Sequence, residues 1–271
     1  MSKEIGIAGM GWLGQPLAQH LMTLGYRVKG TATSESKVTN LYKQGYDTHV
    51  LEISESGVAG DPMTFLADLD VLVIMIPPGL RKNTGANYVL KMSHLLSEIQ
   101  QAEIEHLILI SSTSVYSDAQ GAVTEKIYPI PDSEAGRQLL QVEQRFFNDP
   151  SQKTTLVRFG GLVGGSRQPV RYLAGRKELQ NGAAPVNLIH RDDCIGILSE
   201  IIKQECFGKI FNAVAPFHPN KSDYYTTKAQ ELGLQPPEYV KTNAGGDDTY
   251  KKVDSVHLKS LLQYQFKQSI L

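Results

Sequence analysis

Short apolar runs alternate along the first part of the chain with longer stretches in which apolar residues recur at helical spacing. The runs predict strands over 5–8, 26–28, 50–53, 71–76, 106–110 and 154–159. The helical spacing predicts helices over 15–24, 87–101 and 138–147. Residues 71–76 are apolar at every position, as expected of a parallel strand covered on both faces. This alternation predicts an α/β protein with a doubly wound parallel sheet.

The pattern changes after Phe159, where Gly and Arg become frequent up to Gly182. Beyond that point it predicts a strand and helix over 187–202, a late strand over 210–214 and helices over 223–232 and 251–264. We therefore expect a larger domain over 1–160 and a small C-terminal α/β substrate lobe over 161–271, with about 187–214 returning to the sheet. A ligand is then expected between them, at the carboxyl ends of the strands.

A glycine-rich turn follows the first predicted strand directly. Residues 9–14 have the spacing G-x-G-x-x-G, and a predicted helix and strand come next, which is the context that this motif requires. In a Rossmann-type domain the first glycine permits a tight turn, the second lets the backbone approach a pyrophosphate, and the third lets the helix pack on the strand. We therefore expect dinucleotide binding by Gly9, Met10, Gly11, Trp12, Leu13 and Gly14.

The choice of dinucleotide depends on the end of the second strand. NAD sites usually place an acidic residue about 20 residues after the glycines to bind the ribose 2′-hydroxyl. Here no carboxylate occurs before Glu35, whereas Thr33, Ser34 and Lys37 can donate hydrogen bonds to a 2′-phosphate. This favours NADP over NAD as the cofactor, with NAD as the alternative. The same Ser and Thr residues are also typical of a helix N-cap.

Composition and charge narrow the classes of partner. The 271 residues have a formal net charge of −1 and no basic run, so we expect no nucleic-acid partner. The longest apolar run is far below the ~18 residues of a membrane span, so no membrane partner is expected. The first strand begins at once, which argues against a signal peptide. Cys194 and Cys206 have no metal-ligand spacing and suggest reduced thiols of a cytoplasmic protein without a metal site.

Four further segments, in this order, resemble a known family. They read LILISSTSVYSDAQGAVTE over 107–125, VRFGGLVG over 157–164, NLIHRDD over 187–193 and FNAVAP over 211–216. Together they resemble the extended short-chain dehydrogenases/reductases, which include epimerases and dehydratases of nucleotide sugars. The resemblance spans nearly the whole chain. It implies an NAD(P)-dependent oxidoreductase or epimerase/dehydratase-like enzyme acting on a small, anionic hydroxyl or carbonyl substrate such as a nucleotide sugar.

The resemblance also assigns roles, and two positions depart from the family. Ser112 matches the catalytic Ser, four residues before Tyr116. Ala8 replaces the first glycine of the family's loop. The catalytic Tyr and Lys of the Y-x-x-x-K motif are replaced by Ala135 and Leu139, which transfer no proton. The alternative is therefore a non-catalytic NADP(H)-binding redox sensor or regulatory module.

Three residues are candidates for the missing acid, each with a structural alternative. Tyr116 follows the fifth strand and is otherwise an aromatic wall, and Tyr128 is otherwise surface packing. His190 is the third candidate, because histidine is the side chain most used for proton transfer near neutral pH, but a lone His at a strand exit is more often structural. Arginines bind phosphate or carboxylate in a bidentate manner. Substrate contacts are therefore expected from Arg137, Arg158 and Arg171, and a rigid cofactor wall from Ile76, Pro77 and Pro78.

Two further expectations concern assembly and a competing family. The family often dimerises through two helices, one of which would be 138–147, so a homodimer is expected. The glycine loop alone is also similar to that of β-hydroxyacid dehydrogenases. That family would require a long helical C-terminal domain, and the Gly- and Pro-containing tail argues against it.

Overall fold

The computed structural model describes residues 2–79, 85–240 and 250–268. The strands are β1 Glu4–Ala8, β2 Arg27–Ala32, β3 Asp47–Ser54, β4 Gly57–Gly60, β5 Val71–Ile74, β6 His106–Ser112, β7 Ala122–Val123, β8 Lys153–Phe159, β9 Gly161–Val163, β10 Leu188–His190, β11 Ile210–Ala213 and β12 Lys252–Val253. The helices are α1 Gly14–Thr23, α2 Glu35–Lys43, α3 Pro62–Leu66, α4 Tyr88–Gln101, α5 Glu134–Phe147, α6 Val170–Leu173, α7 Arg191–Lys203, α8 Lys221–Glu231 and α9 Val256–Ser260.

The central sheet has eight strands in the order β11-β8-β6-β5-β1-β2-β3-β4. All neighbouring strands pair in parallel except β4, which is antiparallel to β3. The chain moves outward from β1 in both directions, to β2 on one side and β5 on the other. The predicted Rossmann-type doubly wound parallel sheet is thus confirmed, and its switch point lies at the carboxyl end of β1.

Each face of the sheet has its own apolar core. Helices α1 and α7 cover one face, where Leu17 and Ile197 are fully buried. Helices α4 and α5 cover the other, where Tyr88 and Phe146 are buried. Helix α5 begins four residues before the predicted position, because Ser133 caps it by accepting a hydrogen bond from the Gly136 N–H at 3.1 Å.

The predicted helix over 251–264 is wrong over most of its length. Lys252 and Val253 form β12, which pairs in parallel with β7, and only the short α9 follows. The cause is a distant carboxylate: Glu125 accepts the backbone N–H groups of Val256 and His257 at 3.1 and 3.3 Å. The apolar spacing of 251–264 is typical of a helix. The pairing of β12 with β7 and the hydrogen bonds to Glu125 nevertheless hold most of this segment in another conformation.

The segment after β8 leaves the sheet and comes back. Strands β9 and β10 form a separate pair, α7 packs against α1, and β11 then joins the main sheet beside β8. The division into a domain over 1–160 and a lobe over 161–271 stays a prediction. Within the described ranges, no helix is long and apolar enough to cross a membrane.

Candidate functional site

The glycine loop lies at the switch point of the sheet and is tied to β2. Gly9 has a φ of +116°, which L-residues with a side chain rarely adopt. The N–H of Gly9 donates to Thr31 Oγ1 at 3.1 Å, and the N–H of Met10 donates to Thr31 O at 2.8 Å. Thr31 therefore fixes the loop, a role that sequence reasoning missed because threonine is an ordinary strand residue.

The loop geometry fits a dinucleotide. A Cβ on Gly14 would lie 2.1 Å from the carbonyl oxygen of Gly9, so only glycine allows α1 to approach the loop. A Cβ on Gly11 would meet no protein atom within 4 Å, and this residue is exposed. Space over the middle glycine beside a helix N-terminus is what a pyrophosphate needs.

Other residues of the loop face inward. Met10 is 1% exposed and its side chain packs over Gly30, so this side chain is a core residue and not a ligand contact. Leu13 is buried in the core on the α1 side. Ala8, which replaces the family's first glycine, is fully buried. Its methyl group packs in the core between the sheet and helices α4 and α5. The departure at this position therefore leaves the loop intact.

The residues expected at a 2′-phosphate lie together at the end of β2 and the start of α2. Thr33, Ser34 and Lys37 are all exposed. Ser34 is the N-cap residue of α2, but its side chain makes no capping hydrogen bond. No ion pair to Lys37 occurs within the described residues. Ser34 therefore occupies the N-cap position of α2, but its side chain does not cap the helix. The three polar side chains remain available to a ligand.

Residues 76–78 follow the carboxyl end of β5 and lie outside the helices and strands. The hydroxyl of Tyr88 donates to the carbonyl oxygen of Ile76 at 2.9 Å. Tyr88 is 1% exposed, and burial raises the pKa of its hydroxyl, which therefore stays protonated as a donor. Pro77 and Pro78 follow this anchored carbonyl, in agreement with a fixed wall beside the cleft.

Ser112 is the last residue of β6 and is partly exposed. Its Oγ accepts the N–H of Ser114 at 3.2 Å, where a short 3₁₀ turn begins. Its hydroxyl hydrogen has no acceptor among the described residues. Helix α5 packs closely here, since a Cβ on Gly136 would lie 2.6 Å from Ser114 O. The Ser112 side chain is thus held by the Ser114 N–H, and its hydroxyl hydrogen remains free to donate to a ligand.

Tyr116 and Arg158 belong to a buried network. The Arg158 guanidinium makes a bidentate pair with Glu143, with Nε–Oε1 3.0 Å and Nη2–Oε2 2.6 Å. Its Nη1 donates to the Tyr116 hydroxyl at 2.6 Å, and that hydroxyl donates to Asn212 Oδ1 at 3.2 Å. Burial raises the pKa of Tyr116. These two side chains are occupied with each other and with Glu143, so we assign neither to the substrate.

The other two acid candidates have structural partners. His190 is the N-cap of α7, where its Nδ1 accepts the Asp192 N–H at 3.2 Å. Its Nε2 lies against Gly164. Tyr128 is 67% exposed, and its hydroxyl accepts from Gln144 at 2.6 Å. Both positions agree with a structural role for these side chains.

The remaining predicted residues do not converge. Arg137 lies on the exposed side of α5 and pairs with Glu134 at 3.1 Å, while Arg171 is exposed on α6. Leu139, at the family's Lys position, is 5% exposed and packs in the core on the α5 side. The three arginines expected at the substrate are therefore spread over the protein, and Leu139, the predicted equivalent of the family's Lys, is a core side chain.

A cavity of about 330 Å³ lies beside the residue that follows Ser112. Its walls come from the 3₁₀ turn that follows Ser112, from residues 184–188 at the start of β10, from the first half of α8 and from residues 250–251. The lining side chains with transferable protons are Thr113, Lys221, Tyr225, Tyr250 and Lys251. Sequence reasoning missed them, because no motif connects positions so far apart in the chain.

Comparison with known proteins agrees with this geometry. Residues 4–126 match the NAD binding domain of 6-phosphogluconate dehydrogenase. The UDP-N-acetylglucosamine 4-epimerase from Bacillus cereus is similar in structure, with a TM-score of 0.79 and 19% identity over 99% of this chain and 96% of that one. The UDP-glucuronic acid 4-epimerase from Bacillus cereus, solved with UDP-glucuronic acid and NAD, gives a TM-score of 0.78 and 20% identity over 98% and 95%.

The fold and the glycine loop define an NAD-binding protein of the Rossmann class, and the expected resemblance to the extended short-chain dehydrogenases/reductases is confirmed in the fold. Protein YeeZ of Escherichia coli K12 is 34% identical over 267 residues, covering 98% of this chain and 96% of YeeZ. The chain belongs to the YeeZ family.

Proposed function

We propose that this protein is an NAD(P)-dependent oxidoreductase or epimerase/dehydratase-like enzyme for a small anionic substrate with a hydroxyl or carbonyl group. The observation that carries the proposal is the position of Ser112. It lies at the carboxyl end of β6 with its hydroxyl hydrogen unpaired within the described residues, directly before a cavity-lining residue. A substrate in the cavity would have its reacting oxygen near this donor.

The chemistry divides between cofactor and protein. A bound nicotinamide supplies or accepts a hydride. Reduction of a carbonyl carbon also needs a proton at the oxygen, while two electrons leave the reduced nicotinamide. Ser112 would hydrogen-bond that oxygen, and the proton would come from a cavity group, since α5 has Ala135 and Leu139 in place of the Tyr and Lys.

The charge of the cavity indicates the substrate class. Lys221 begins α8 and has no ion pair within the described residues. Lys251 Nζ donates to Tyr116 O at 2.7 Å and lies 3.6 Å from the carboxylate of Asp118. The described lining of the cavity therefore carries two ammonium groups and only one carboxylate. This excess of positive charge favours a substrate with a carboxylate or phosphate group. Nucleotide sugars are one such class, as the bound UDP-glucuronic acid of the Bacillus cereus epimerase illustrates.

NADP is the proposed cofactor, with NAD as the alternative. Thr33, Ser34 and Lys37 offer two hydroxyls and a cation at the position where the ribose 2′ substituent lies in this fold. No acidic side chain stands between the end of β2 and Glu35 to repel a phosphate.

The first test is calorimetric titration with NADPH, NADP⁺, NADH and NAD⁺. Lys37→Ala should weaken NADPH binding about 2- to 5-fold, since one exposed charge pair contributes up to ~1 kcal/mol, and leave NADH binding unchanged. Lys43→Ala, at the other end of the same helix, is the matched control. Equal binding of NADH and NADPH, unaffected by Lys37→Ala, would reject the NADP preference, and no binding of any of the four would reject the proposal.

The second test is catalysis. NADPH oxidation is followed with a panel of carbonyl compounds that carry a carboxylate or phosphate. Ser112→Ala should lower kcat about 10²- to 10³-fold, as loss of a donor to a developing oxyanion does. Ser111→Ala is the control, because its buried side chain precedes the site and has no hydrogen-bond partner in the described structure. Equal rates for Ser112→Ala and the wild type would exclude this role.

A non-catalytic redox sensor is the second candidate, and the residues Ala135 and Leu139 favour it. Such a protein would bind NADP⁺ and NADPH with different affinities and turn over neither. A difference in the two calorimetric affinities with no NADPH oxidation by any carbonyl compound would support the sensor over the enzyme.

A further inference from the structure

We propose that Arg167 and Arg191 bind the pyrophosphate of the dinucleotide across the ring of Trp12. This inference rests on the proposed dinucleotide binding and adds two ligands from the other end of the chain. Neither arginine belongs to the glycine motif.

The arrangement is centred on Trp12, which lies between the second and third glycines of the loop. The guanidinium carbon of Arg167 lies 5.0 Å from the centroid of the indole ring, and that of Arg191 lies 5.5 Å from it. Both distances are within the range of a cation–π contact. Both guanidiniums therefore contact Trp12, a residue of the glycine loop, and this loop would hold the phosphates.

A pair of glycines makes this convergence possible. A Cβ on Gly165, which has a φ of +55°, would lie 2.8 Å from Arg191 Nη1 and 3.1 Å from its Cζ. A Cβ on Gly164 would lie 2.4 Å from the Nε2 of His190. The backbone after β9 therefore rests directly on the first side chains of α7, and this contact brings Arg167 next to Trp12. Both glycines have a positive φ, +107° at Gly164 and +55° at Gly165, and a side chain at either position would also displace His190 or Arg191.

The two guanidiniums lack the acceptors that arginine normally has. Arg191 Nε is buried without a hydrogen-bond partner among the described residues, and the nearest carboxylate oxygen, of Asp192, lies 3.9 Å away. Arg167 is exposed, and its guanidinium makes no hydrogen bond or ion pair in the described structure. A guanidinium has five N–H donors. Two guanidiniums at one indole ring, with no side-chain hydrogen bond to either of them in the described structure, indicate an anionic ligand.

The pyrophosphate is the anion that the surroundings favour. Gly11, adjacent to Trp12, has the open space over its backbone that such a group needs. Arginine binds phosphate oxygens in a bidentate manner, and a charge-assisted hydrogen bond is about twice as strong as a neutral one. The indole would hold the two side chains in place, and the lobe segment would thereby cover the cofactor on its phosphate side.

The test uses the fact that Trp12 is the only tryptophan of the chain. Its emission is followed while NADP⁺, NAD⁺, ADP or adenosine is added, and calorimetry gives the affinities independently. We expect the emission to change with the first three ligands, which carry a pyrophosphate, and much less with adenosine, which has none. An emission that responds equally to adenosine would overturn the proposal.

The variants are Arg167→Ala, Arg191→Ala and, as control, Arg171→Ala on the exposed surface of α6. Each of the first two should weaken NADP⁺, NAD⁺ and ADP about tenfold or more and leave adenosine within about twofold, while the control behaves like the wild type. Arg167→Lys should restore only part of the affinity, since it keeps the charge without the planar donors. The exposed position of Arg167 keeps the test valid even if Arg191→Ala is poorly folded.

The outcomes separate the two proposals. If the wild type binds no dinucleotide, the proposed function fails and this inference with it. If the wild type binds dinucleotides and Arg167→Ala binds them equally well, only this inference is overturned. It is also overturned if the variants lose as much affinity for adenosine as for ADP, because the arginines would then act on the fold of the cleft and not on the phosphates.

Discussion

The guanidinium of Arg158 and the carboxylate of Glu143 form a bidentate ion pair inside the protein, with Nη2 2.6 Å from Oε2. Their side chains are 3% and 2% exposed. The pair joins β8 to α5, the helix that packs against the turn after Ser112. It therefore connects the helix that supports the proposed catalytic serine to β8, the strand next to β6 in the sheet.

Breaking this pair should destabilise the fold. Arg158→Met leaves a buried carboxylate without its partner and should lower the free energy of unfolding by about 3–5 kcal/mol, measured by urea denaturation. The double variant Arg158→Met with Glu143→Leu should lose less than the two single variants together, because neither charge is then left alone. Fully additive losses would show that the pair has no coupling energy.

The glycine loop predicts different effects on stability at two of its positions. Gly14→Ala would place a Cβ 2.1 Å from Gly9 O and should reduce both stability and dinucleotide binding. Gly11→Ala meets no protein atom, so its melting temperature should stay within a few degrees while affinity for the dinucleotide falls. Thermal unfolding and calorimetry of the same samples check this. Unchanged affinity in Gly11→Ala would mean that the space above it is not the pyrophosphate site.

The substitution Leu139→Lys, which would restore the family's Lys, should not create activity. Leu139 packs in the core at 5% exposure, so Leu139→Lys puts an ammonium among apolar side chains. We expect a loss of several kcal/mol of stability and no gain in NADPH oxidation. Leu139→Met, which keeps the volume and the apolar character, is the control and should cost less than about 1.5 kcal/mol. A stable Leu139→Lys protein with new activity would contradict this placement.

His218 predicts a stability change at mildly acidic pH. Burial lowers the pKa of its imidazole below the ordinary value of 6.5, against the opposing effect of its hydrogen bond to Val186 O at 3.0 Å. Lys252 also lowers it, and Asp254, 3.6 Å from Nε2, raises it. A depressed folded-state pKa means that the unfolded chain takes up the proton first. Its contribution is therefore complete above pH of about 6.5 and is lost as the pH falls through the lower folded-state pKa.

The check is the free energy of unfolding of the wild type and of His218→Gln between pH 8 and pH 5. The wild type should lose more stability over this range than the variant, because glutamine does not titrate there. Parallel curves for the two proteins would show that another group controls the acid sensitivity.

Part of the site could be predicted because it is local. The strand, glycine turn and helix from β1 to α1 follow from spacing over some twenty residues, since the tight turn, the open backbone and the close helix approach each require glycine at a set position. Ser112 is a candidate because the segment 107–125 resembles the catalytic-Ser segment of the short-chain dehydrogenases/reductases, and its role stays a prediction. Patterns of this kind depend on neighbours in the chain and are therefore visible in the sequence.

The rest was decided by contacts between distant segments. Tyr116 follows a predicted strand just as Ser112 does, yet it is fully buried against Arg158, because side chains at a strand exit face different ways. Lys221 and Lys251 share a cavity wall only after the C-terminal segment has paired with β7.

The sequence by itself determined the alternation of the main strands and helices, through periodicity, and the glycine loop, through short glycine spacing. Only the tertiary structure decided which polar side chains reach that loop. The segment after β9 brings Arg167 to Trp12, and α7 brings Arg191 to it. The physical reason is that burial, close backbone approach and the pairing of charges depend on the folded arrangement, which no spacing along the chain encodes.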